Sequence, residues 1–572
     1  MEKNVIEEKA KLWLGSPFDK DTQNEIQQLL TNGSEELADR FYKDLEFGTG
    51  GMRGVMGAGT NRINKYTLGK ATQGLSNYLL RSFPNKELKA VIAYDCRHNS
   101  KEFAQIVADV FSANNIKVYL FEDLRPTPEL SFAVRHLACD VGIVLTASHN
   151  PPEYNGYKVY WNDGGQIVPP QDAEIISEVN KVDFSEVKFN SDVALIEKIG
   201  KKIDAEFIAA AVENGTFGVP NRGKLSIVFT PLHGTSVMSI PKALKKAGFS
   251  NVSVVKEQKK PDGDFPTVSS PNPEEPEALK MALDLAEKNK ADIVIGTDPD
   301  SDRLGIAVRN LDGTMILLNG NQTMSVMTEF LLEQWQQMGK LNGSQFIGST
   351  IVSSNLVCEI AKSYNVETKL GLTGFKWIAK MIRDFDHLEF IGGGEESFGY
   401  MVGDFIRDKD AVTATVLACE IAANAKNNNS SFYKELIGIY LKHGFYKEQL
   451  LSFVKKGPNG AQEIQQMMAD MRKNPLREID GSKVVHLFDY QSSICQNLQT
   501  GEKTDIDLPK SNVLIYHTED GTRVAARPSG TEPKIKFYFS VNLQLDDLAS
   551  LMQTERLLEQ KIDRIIKEMK LD

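Results

Sequence analysis

Short apolar runs alternate with amphipathic segments along most of the chain. The run Val141–Thr146 is rich in β-branched residues and has the length of a buried strand. Leu68, Ala71, Leu75 and Leu79 recur instead at the spacing of one helix face. Strands that alternate with helices form mostly parallel sheets covered on both faces, so the pattern predicts an α/β protein. The predicted strands are Ala90–Tyr94, Ile116–Phe121, Val141–Thr146, Leu225–Thr230, Val252–Lys256, Asp292–Gly296, Phe346–Val352, Glu367–Leu370 and Glu389–Ile391.

Turn and capping residues delimit several of the predicted elements. Asn99 and Glu102 have the spacing of a capping box at a helix start. Thr127-Pro128 is a typical opening of the next helix. Asp312-Gly313 predicts the turn of a β-hairpin. The predicted hairpin strands are Leu304–Arg309 and Thr314–Leu318, and further helices are predicted at Ile240–Ala247, Glu277–Lys288 and Trp377–Arg383.

The pattern changes after about residue 428, where α+β order replaces the alternation. Helices are predicted at Phe432–His443 and Gln462–Met471, strands at Val513–His517, Arg523–Arg527 and Ile535–Val541, and a last amphipathic helix at Leu545–Lys570. We therefore predict three similar α/β domains with mixed, mostly parallel sheets and a C-terminal α+β domain. The expected boundaries are a helical extension at 1–45 and domains at 46–215, 216–320, 321–445 and 446–572.

Composition excludes several classes of protein. Lys and Arg number 66 against 77 Asp and Glu, and the net charge of −11 argues against general nucleic-acid or anionic-membrane binding, although a small anionic substrate stays possible. The five cysteines form no CxxC pair, which argues against a disulfide framework or a zinc site. The first residues are charged and no run is long enough to span a bilayer, so we expect a cytoplasmic protein.

A serine and a histidine follow the predicted strand Val141–Thr146. Ser148 and His149 thus lie at the carboxyl end of a strand, where ligands bind in open α/β sheets. A serine there can act as a nucleophile if a neighbour activates it and other groups stabilise the developing charge. The alternative is a plain turn capped by Ser148 and Asn150.

Three aspartates at every second position follow another predicted strand. Asp298, Asp300 and Asp302 can converge on one point, where a divalent cation would relieve their repulsion. Oxygen ligands alone favour Mg²⁺, Ca²⁺ or Mn²⁺ over zinc. An EF-hand is excluded, because Arg303 and Arg309 stand where that loop requires Gly and Glu. A solvated acidic loop is the alternative.

Two further loops suit phosphate, and one suits a sugar. Phe47–Gly54 and Arg527–Lys536 combine glycines with arginine, although a flexible turn and a hairpin turn are the respective alternatives. Glu395 and Ser397 are suited to sugar hydroxyls. A hard cation beside a serine suggests phosphoryl transfer, which also needs a proton carrier. His149 and Lys409 are the candidates, with a surface charge cluster as the alternative for Lys409.

Four ordered motifs together resemble the α-D-phosphohexomutase superfamily. They are TASHNP (146–151), GTDPDSDR (296–303), GGEESFG (393–399) and RPSGTEPK (527–534). FGTGGMRG near the start and PEYNGYKVY after the serine make the chain most similar to the phosphoglucomutase/phosphopentomutase branch. The resemblance implies four domains around a central cleft, in agreement with the domain count above.

The resemblance also implies a role for each matching residue. Ser148 would be the phosphorylated serine, and Asp298, Asp300 and Asp302 would hold Mg²⁺ together with a phosphoserine oxygen. Glu395 and Ser397 would hold sugar hydroxyls, and Arg527, Ser529, Gly530 and Thr531 the phosphate that is not reacting. Arg53, Arg303 and His149 would line the cleft, with Lys409 near the reacting hydroxyl. Thr373, Gly374 and Lys376 belong to the expected substrate-discriminating loop, although a plain helix start is an equal alternative for that segment.

The implied reaction is the interconversion of glucose 1-phosphate and glucose 6-phosphate. Phosphoserine would give its phosphoryl group to the sugar phosphate, and the bisphosphate would turn end for end and return its other phosphate, with glucose 1,6-bisphosphate as activator. The main alternative is a phosphopentomutase acting on ribose or deoxyribose 1-phosphate. Three further alternatives are less favoured: a mutase acting on mannose or glucosamine phosphates, a phosphatase with Asp298 as nucleophile, and a non-catalytic sugar-phosphate-binding protein. Monomer and dimer both stay open.

Overall fold

The computed structural model describes residues 3–33, 35–455, 460–529 and 534–571. The chain forms two compact units. The first contains Met1–Asn319 and Phe375–Asn429, and the second contains Gly320–Gly374 and Ser430–Asp572. The chain therefore passes from the first unit to the second at residue 320, returns at residue 375, and passes to the second unit again at residue 430.

The first unit begins with a helical extension packed on a six-stranded sheet. Its helices are α1 (Lys3–Lys11), α2 (Lys20–Asn32), α3 (Glu35–Phe41), α4 (Lys65–Ser82), α5 (Ser100–Ala113), α6 (Thr127–His136), α7 (Gln171–Lys181) and α8 (Lys201–Gly215). Its strands are β1 (Gly51–Val55), β2 (Lys89–Tyr94), β3 (Lys117–Phe121), β4 (Val141–Leu145), β5 (Tyr154–Trp161) and β6 (Ile196–Ile199), in the order β1-β5-β4-β2-β3-β6. Strands β4, β2, β3 and β6 are parallel, whereas β1, β5 and β4 pair antiparallel.

Apolar side chains cover both faces of this sheet, as expected for an α/β domain. Leu75, Phe111 and Ile143 belong to the core on one face, and Phe121 and Tyr160 to the core on the other. The helical extension has an aromatic core of its own. Trp13 stacks on Phe18 at 4.2 Å between ring centroids and meets the edge of Tyr66 in α4, which anchors the extension to the sheet domain.

A second, five-stranded sheet follows in the same unit. Its strands are β7 (Ile227–Thr230), β8 (Val252–Val254), β9 (Ile293–Thr297), β10 (Leu304–Arg309) and β11 (Met315–Leu317), in the order β11-β10-β9-β7-β8, with helices α9 (Ile240–Lys246) and α10 (Pro276–Asn289). The pairs β9–β7 and β7–β8 are parallel, and the predicted hairpin is the antiparallel pair β10–β11.

The next region divides between the units. Helix α11 (Gly320–Gln337), strand β12 (Gln345–Thr350), helix α12 (Leu356–Ser363) and strand β13 (Glu367–Gly371) lie in the second unit, where β12 and β13 pair parallel. Helix α13 (Phe375–Asp384), strands β14 (Glu389–Glu395) and β15 (Gly399–Val402), and helix α14 (Ala411–Asn427) return to the first unit.

The second unit ends in an antiparallel sheet with helices, the α+β order predicted. Its helices are α15 (Phe432–His443), α16 (Gly460–Lys473) and α17 (Leu551–Glu568). Its strands are β16 (Phe445–Val454), β17 (Glu478–Ile479), β18 (Ser482–Asp489), β19 (Ile494–Asn497), β20 (Lys503–Asp505), β21 (Leu514–Thr518), β22 (Arg523–Pro528) and β23 (Lys534–Leu543), in the order β16-β23-β22-β21-β18-β19-β20 with β17 beside β18.

Three local predictions were wrong. Part of the glycine-rich segment predicted as a loop is strand β1, because Gly51–Val55 pairs along its length with β5. Asn99 does not cap α5 with its side chain, because its backbone is left-handed at φ 60°. The last helix begins at Leu551 rather than Leu545, after a short 3₁₀ turn that Asp547 caps.

In the part of the chain that the structure describes, no helix combines the length and apolarity that a membrane span requires. The five cysteines, all within that part, are free thiols.

Candidate active site

Ser148 lies just beyond the carboxyl end of β4, and its side chain faces the aspartate loop. Its Oγ donates a hydrogen bond to Asp298 Oδ2 at 2.7 Å and lies 3.3 Å from His149 Nδ1. The residue is 6% exposed. Its backbone is left-handed at φ 52°, a conformation that costs energy in a non-glycine residue and is concentrated at functional sites.

A buried arginine holds the backbone that carries this serine. Arg97 follows β2 and donates hydrogen bonds to the carbonyls of Ser148 at 2.6 Å and Pro151 at 2.7 Å. It also reaches the carbonyls of Asn150 and Tyr154. Because one planar guanidinium can satisfy several acceptors at once, Arg97 fixes the whole turn after β4.

The three aspartates follow β9 and are all buried. Asp300 and Asp302 each have one oxygen held by the protein, whereas Asp298 has both, with Oδ2 held by Ser148. Asp298 Oδ1 accepts the backbone N–H groups of Asp302 and Arg303 at 3.1 and 3.0 Å. Asp300 Oδ2 accepts from Lys158 Nζ at 2.7 Å, and Asp302 Oδ2 lies 3.2 Å from the same nitrogen.

The remaining oxygens fit a divalent cation. One oxygen of each aspartate lies within 4.8 Å of the other two. Asp300 Oδ1 and Asp302 Oδ1 are buried and find no hydrogen-bond partner among the described residues. Burial and the carboxylates of Asp300 and Asp302 raise the pKa of Asp298 well above its usual range. A hard cation would satisfy these oxygens and relieve that repulsion, so the residues present fit such an ion.

Two partly buried lysines share Asp302. Lys409 Nζ lies 3.2 Å from Asp302 Oδ2, as Lys158 does. Burial alone would lower the pKa of Lys409, but Asp302 and Asp408 raise it above its usual value, so the group stays an ammonium. The stem of Lys409 crosses Gly399, where a Cβ would lie 2.2 Å from Lys409 Cδ, so only glycine fits at that position.

His149 is neutral in this setting. Burial and the neighbouring Arg303 lower the pKa of His149 to about 3, and Arg53 on β1 acts in the same direction. Arg303 itself pairs with Glu274. The imidazole can therefore accept a hydrogen bond beside Ser148, but it is rarely protonated to imidazolium at neutral pH.

Glu395 and Ser397 lie at the end of β14 in the same unit. Burial raises the pKa of Glu395 to about 7. The Ser397 hydroxyl donates to Glu396 at 3.2 Å. The next carbonyl, of Phe398, accepts the N–H of Leu304 directly after the aspartate loop. Lys376, in the first turn of α13, donates to Thr49 Oγ1 at 2.7 Å and so contacts the glycine-rich segment.

The other predicted residues lie in the second unit. Thr373 and Gly374 follow β13, and Gly374 has φ 109°. Arg527 lies in β22 and donates to Tyr538 at 3.4 Å, and the N–H of Ser529 donates to the carbonyl of Lys534, the first residue of β23. Gly530 and Thr531 lie outside the described residues.

Sequence reasoning missed Lys158, Arg97 and Thr127. Lys158 is a charged residue inside the apolar run of β5, an unusual position that could have indicated a buried partner. Arg97 directly follows a strand end, as Ser148 does. Thr127 carried no signal beyond its place at a helix start.

Comparison with known proteins agrees with this arrangement. The chain matches the phosphoglucomutase/phosphomannomutase α/β/α domains I, II and III over residues 44–186, 196–313 and 319–440, and the C-terminal domain of that family over 463–558. A phosphoglucomutase of Staphylococcus aureus (strain MRSA252) is 40% identical over 522 residues, 90% of this chain and 93% of the relative. One from Staphylococcus epidermidis is 38% identical over 516 residues, with 89% and 93% covered.

A solved structure also has this fold. The phosphoglucomutase/phosphomannomutase family protein of Burkholderia thailandensis superposes with a TM-score of 0.64 at 20% identity, covering 92% of this chain and 97% of that one. The predicted fold, three α/β domains followed by an α+β domain, is thereby confirmed. The chain belongs to the phosphoglucomutase/phosphomannomutase family.

Proposed function

We propose that this enzyme is a mutase that interconverts glucose 1-phosphate and glucose 6-phosphate through a phosphoserine at Ser148. The observation that carries the proposal is the buried hydrogen bond between Ser148 Oγ and Asp298 Oδ2 at 2.7 Å, which joins a serine from one sheet domain to a carboxylate cluster from the next. Relatives that cover most of the chain are phosphoglucomutases.

We infer that Mg²⁺ is the cation held by Asp298, Asp300 and Asp302. The donor set consists of carboxylate oxygens, which suit Mg²⁺. When bound, the ion would neutralise negative charge on the phosphoryl group being transferred.

In the proposed reaction, the bond between Ser148 Oγ and phosphorus breaks while a sugar hydroxyl oxygen bonds to phosphorus. The hydroxyl loses a proton and Ser148 Oγ gains one. Lys409 is an ammonium beside Asp302 and interacts with Glu395, whereas His149 stays neutral at 3.3 Å from Ser148 Oγ. We therefore assign the proton transfer to Lys409, which gives its proton to the departing Ser148 Oγ and takes up the proton of the sugar hydroxyl in return, and a hydrogen-bonding role to His149.

The resulting glucose 1,6-bisphosphate turns end for end and returns its other phosphate to Ser148. This step needs sugar contacts that work in both orientations, for which we propose Glu395 and Ser397. It also needs a second phosphate site, for which we propose Arg527, Ser529, Gly530 and Thr531. Thr373, Gly374 and Lys376 would discriminate among sugars, with Arg53 and Arg303 beside the transferring phosphate. The same bisphosphate would activate the unphosphorylated enzyme.

The test is kcat/KM for glucose 1-phosphate, ribose 1-phosphate and mannose 1-phosphate, with Mg²⁺ and a trace of the matching bisphosphate. We expect glucose 1-phosphate to be preferred. Mass spectrometry should find phosphate on Ser148 in the wild type, and Ser148→Ala should lack both phosphate and activity. Full activity of Ser148→Ala would refute the mechanism, and a preference for ribose 1-phosphate would change the substrate.

We also propose the domain boundaries predicted from the sequence and a cytoplasmic location. The proposed oligomeric state is either monomer or dimer.

A further inference from the structure

Thr127, the first residue of α6, contacts the aspartate loop at two points. Its hydroxyl donates a hydrogen bond to Asp300 Oδ2 at 2.8 Å, and its backbone N–H donates to the carbonyl oxygen of Asp300 at 2.9 Å. Both residues are 0% exposed. Helix α6 belongs to the first sheet domain and Asp300 to the loop after β9 of the second, so these bonds join two domains of one unit.

The hydroxyl bond decides which oxygen of Asp300 is left over. Oδ2 already accepts from Thr127 and, at 2.7 Å, from Lys158 Nζ. Oδ1 is buried and has no hydrogen-bond partner among the residues that the structure describes. A carboxylate with two donors on one oxygen cannot rotate without breaking both bonds, so the other oxygen keeps its direction.

Asp302 shows the same division between its two oxygens. Its Oδ2 lies 3.2 Å from both Lys158 and Lys409, and its Oδ1 has no partner within the described ranges. In metal sites, groups that hold the outer oxygen of a ligating carboxylate commonly set its orientation and contribute to affinity. Among the side chains that hold the Oδ2 atoms of Asp300 and Asp302, Thr127 is the neutral one, and it lies in a different domain from Asp300.

We propose that Thr127 is a positioning residue for the cation site, which holds Asp300 so that Oδ1 faces the ion. This inference rests on the proposed function in one respect, that the aspartate cluster binds a divalent cation. Cation affinity then depends on where the first domain places the start of α6. The contact between Thr127 and Asp300 thereby also fixes the aspartate loop relative to the domain that carries Ser148.

The test is titration of the dephosphorylated full-length enzyme with Mn²⁺ and with Mg²⁺ by isothermal calorimetry. Thr127→Val keeps the shape of the side chain and removes the hydroxyl, and we expect it to weaken affinity by about 10- to 100-fold. Thr127→Ser keeps the hydroxyl and should stay close to the wild type. Thr72→Val is the matched control, because Thr72 is also 0% exposed but bonds Leu68 and Tyr157, away from the aspartates.

Melting temperatures in EDTA separate this effect from loss of fold. If Thr127→Val folds poorly, Thr127→Ala repeats the test with a smaller side chain. Wild-type affinity in a folded variant without the hydroxyl would overturn the inference, as would an equal loss in Thr72→Val. Absence of cation binding in the wild type would refute the metal role itself, which is a different failure.

Discussion

Lys158 is a fixed positive charge inside the carboxylate cluster. It lies on β5 opposite Val144 of β4, with Asp300 Oδ2 at 2.7 Å and Asp302 Oδ2 at 3.2 Å. Burial alone would lower the pKa of Lys158, but these two carboxylates raise it above its usual value. The ammonium therefore neutralises part of the negative charge of the cluster and competes with a divalent cation for attraction to the same carboxylates.

Replacing Lys158 by Met should separate catalysis from cation binding. We expect kcat/KM to fall by about 100-fold or more, because the proposed site loses the positive charge that lies against Asp300 and Asp302. Cation affinity should fall much less, because removal of a competing positive charge offsets the loss of one of the two hydrogen bonds that hold Asp300 Oδ2. Steady-state kinetics and calorimetry measure the two quantities. Lys117→Met, at an exposed ion pair with Glu197, is the control and should change neither. A loss of cation affinity as large as the loss of kcat/KM would contradict this account.

Residue types that carry chemistry were recognisable where they cluster in sequence. Ser148 with His149, and the alternating aspartates, each follow one apolar strand, so their place at a sheet edge followed from local pattern alone. Thr127 and Lys158 escaped prediction because their partner Asp300 lies 173 and 142 residues away along the chain. Contacts of that kind depend on how domains pack, which no local pattern reports.

At the scale of elements, the turn after β4 depends on one guanidinium. Arg97 donates to carbonyls from Ser148 to Tyr154 and lies 3.3 Å from Asp95 through its Nε. The ring of Phe265, from the second sheet domain, lies 5.0 Å from this guanidinium. The position of Ser148 thus depends on contacts from two domains.

Arg97→Lys should therefore lower kcat with little effect on KM. A lysine keeps the charge but cannot bond several carbonyls in one plane, so Ser148 loses its fixed direction while the substrate contacts stay. We expect a fall of about 10- to 100-fold in kcat. Arg222→Lys is the control, because Arg222 forms a close ion pair with Glu420, at 2.5 Å, in the same unit. It should lower the melting temperature only. Equal kcat values for Arg97→Lys and the wild type would exclude the role.

Element prediction succeeded for regular apolar patterns and failed where glycine or context decided. Phe432–His443 was predicted at its observed bounds, because a Ser cap and helical spacing agree. Gly51–Val55 resembled a loop by composition, yet β5 lies close enough for strand pairing. A Cβ at Gly51 would lie 1.8 Å from the Tyr157 carbonyl oxygen, so glycine marks close backbone approach here.

Strand β16 carries a titratable group that affects stability. Burial raises the pKa of Glu448 to about 7, against an ordinary value of 4.5. The folded chain therefore holds a proton that the unfolded chain has released, so the stability that this group contributes is complete below pH 4.5 and is lost as pH rises through about 7.

Glu448→Gln should remove that loss. Relative to the variant, the wild type should lose on the order of 2 kcal/mol of unfolding free energy between the two pKa values. Denaturant unfolding at a series of pH values measures the difference. Glu555→Gln, at an exposed pair with Lys447, should leave the pH dependence as in the wild type. Parallel curves for Glu448→Gln and the wild type would contradict the prediction.

At the scale of the whole molecule, the aspartate cluster lies in one unit only. A ligand that binds the folded state stabilises it by about 2.7 kcal/mol at a hundredfold excess over Kd. We expect calorimetry to resolve two unfolding transitions. Mg²⁺ should raise the melting temperature of one of them, and EDTA should lower the melting temperature of that same transition. Asp300→Asn should abolish the shift. A single transition, or an equal shift of both, would show that the units do not unfold separately.

The interleaving of the two units has a consequence for synthesis on the ribosome. The first unit needs residues 375–429, which emerge only after the segment 320–374 that belongs elsewhere. A nascent chain that stops before residue 375 holds Ser148 and the aspartates but lacks Glu395 and Lys409. Such a fragment carries the proposed nucleophile without the proposed sugar contact and lysine, so the candidate site is completed late in translation rather than domain by domain.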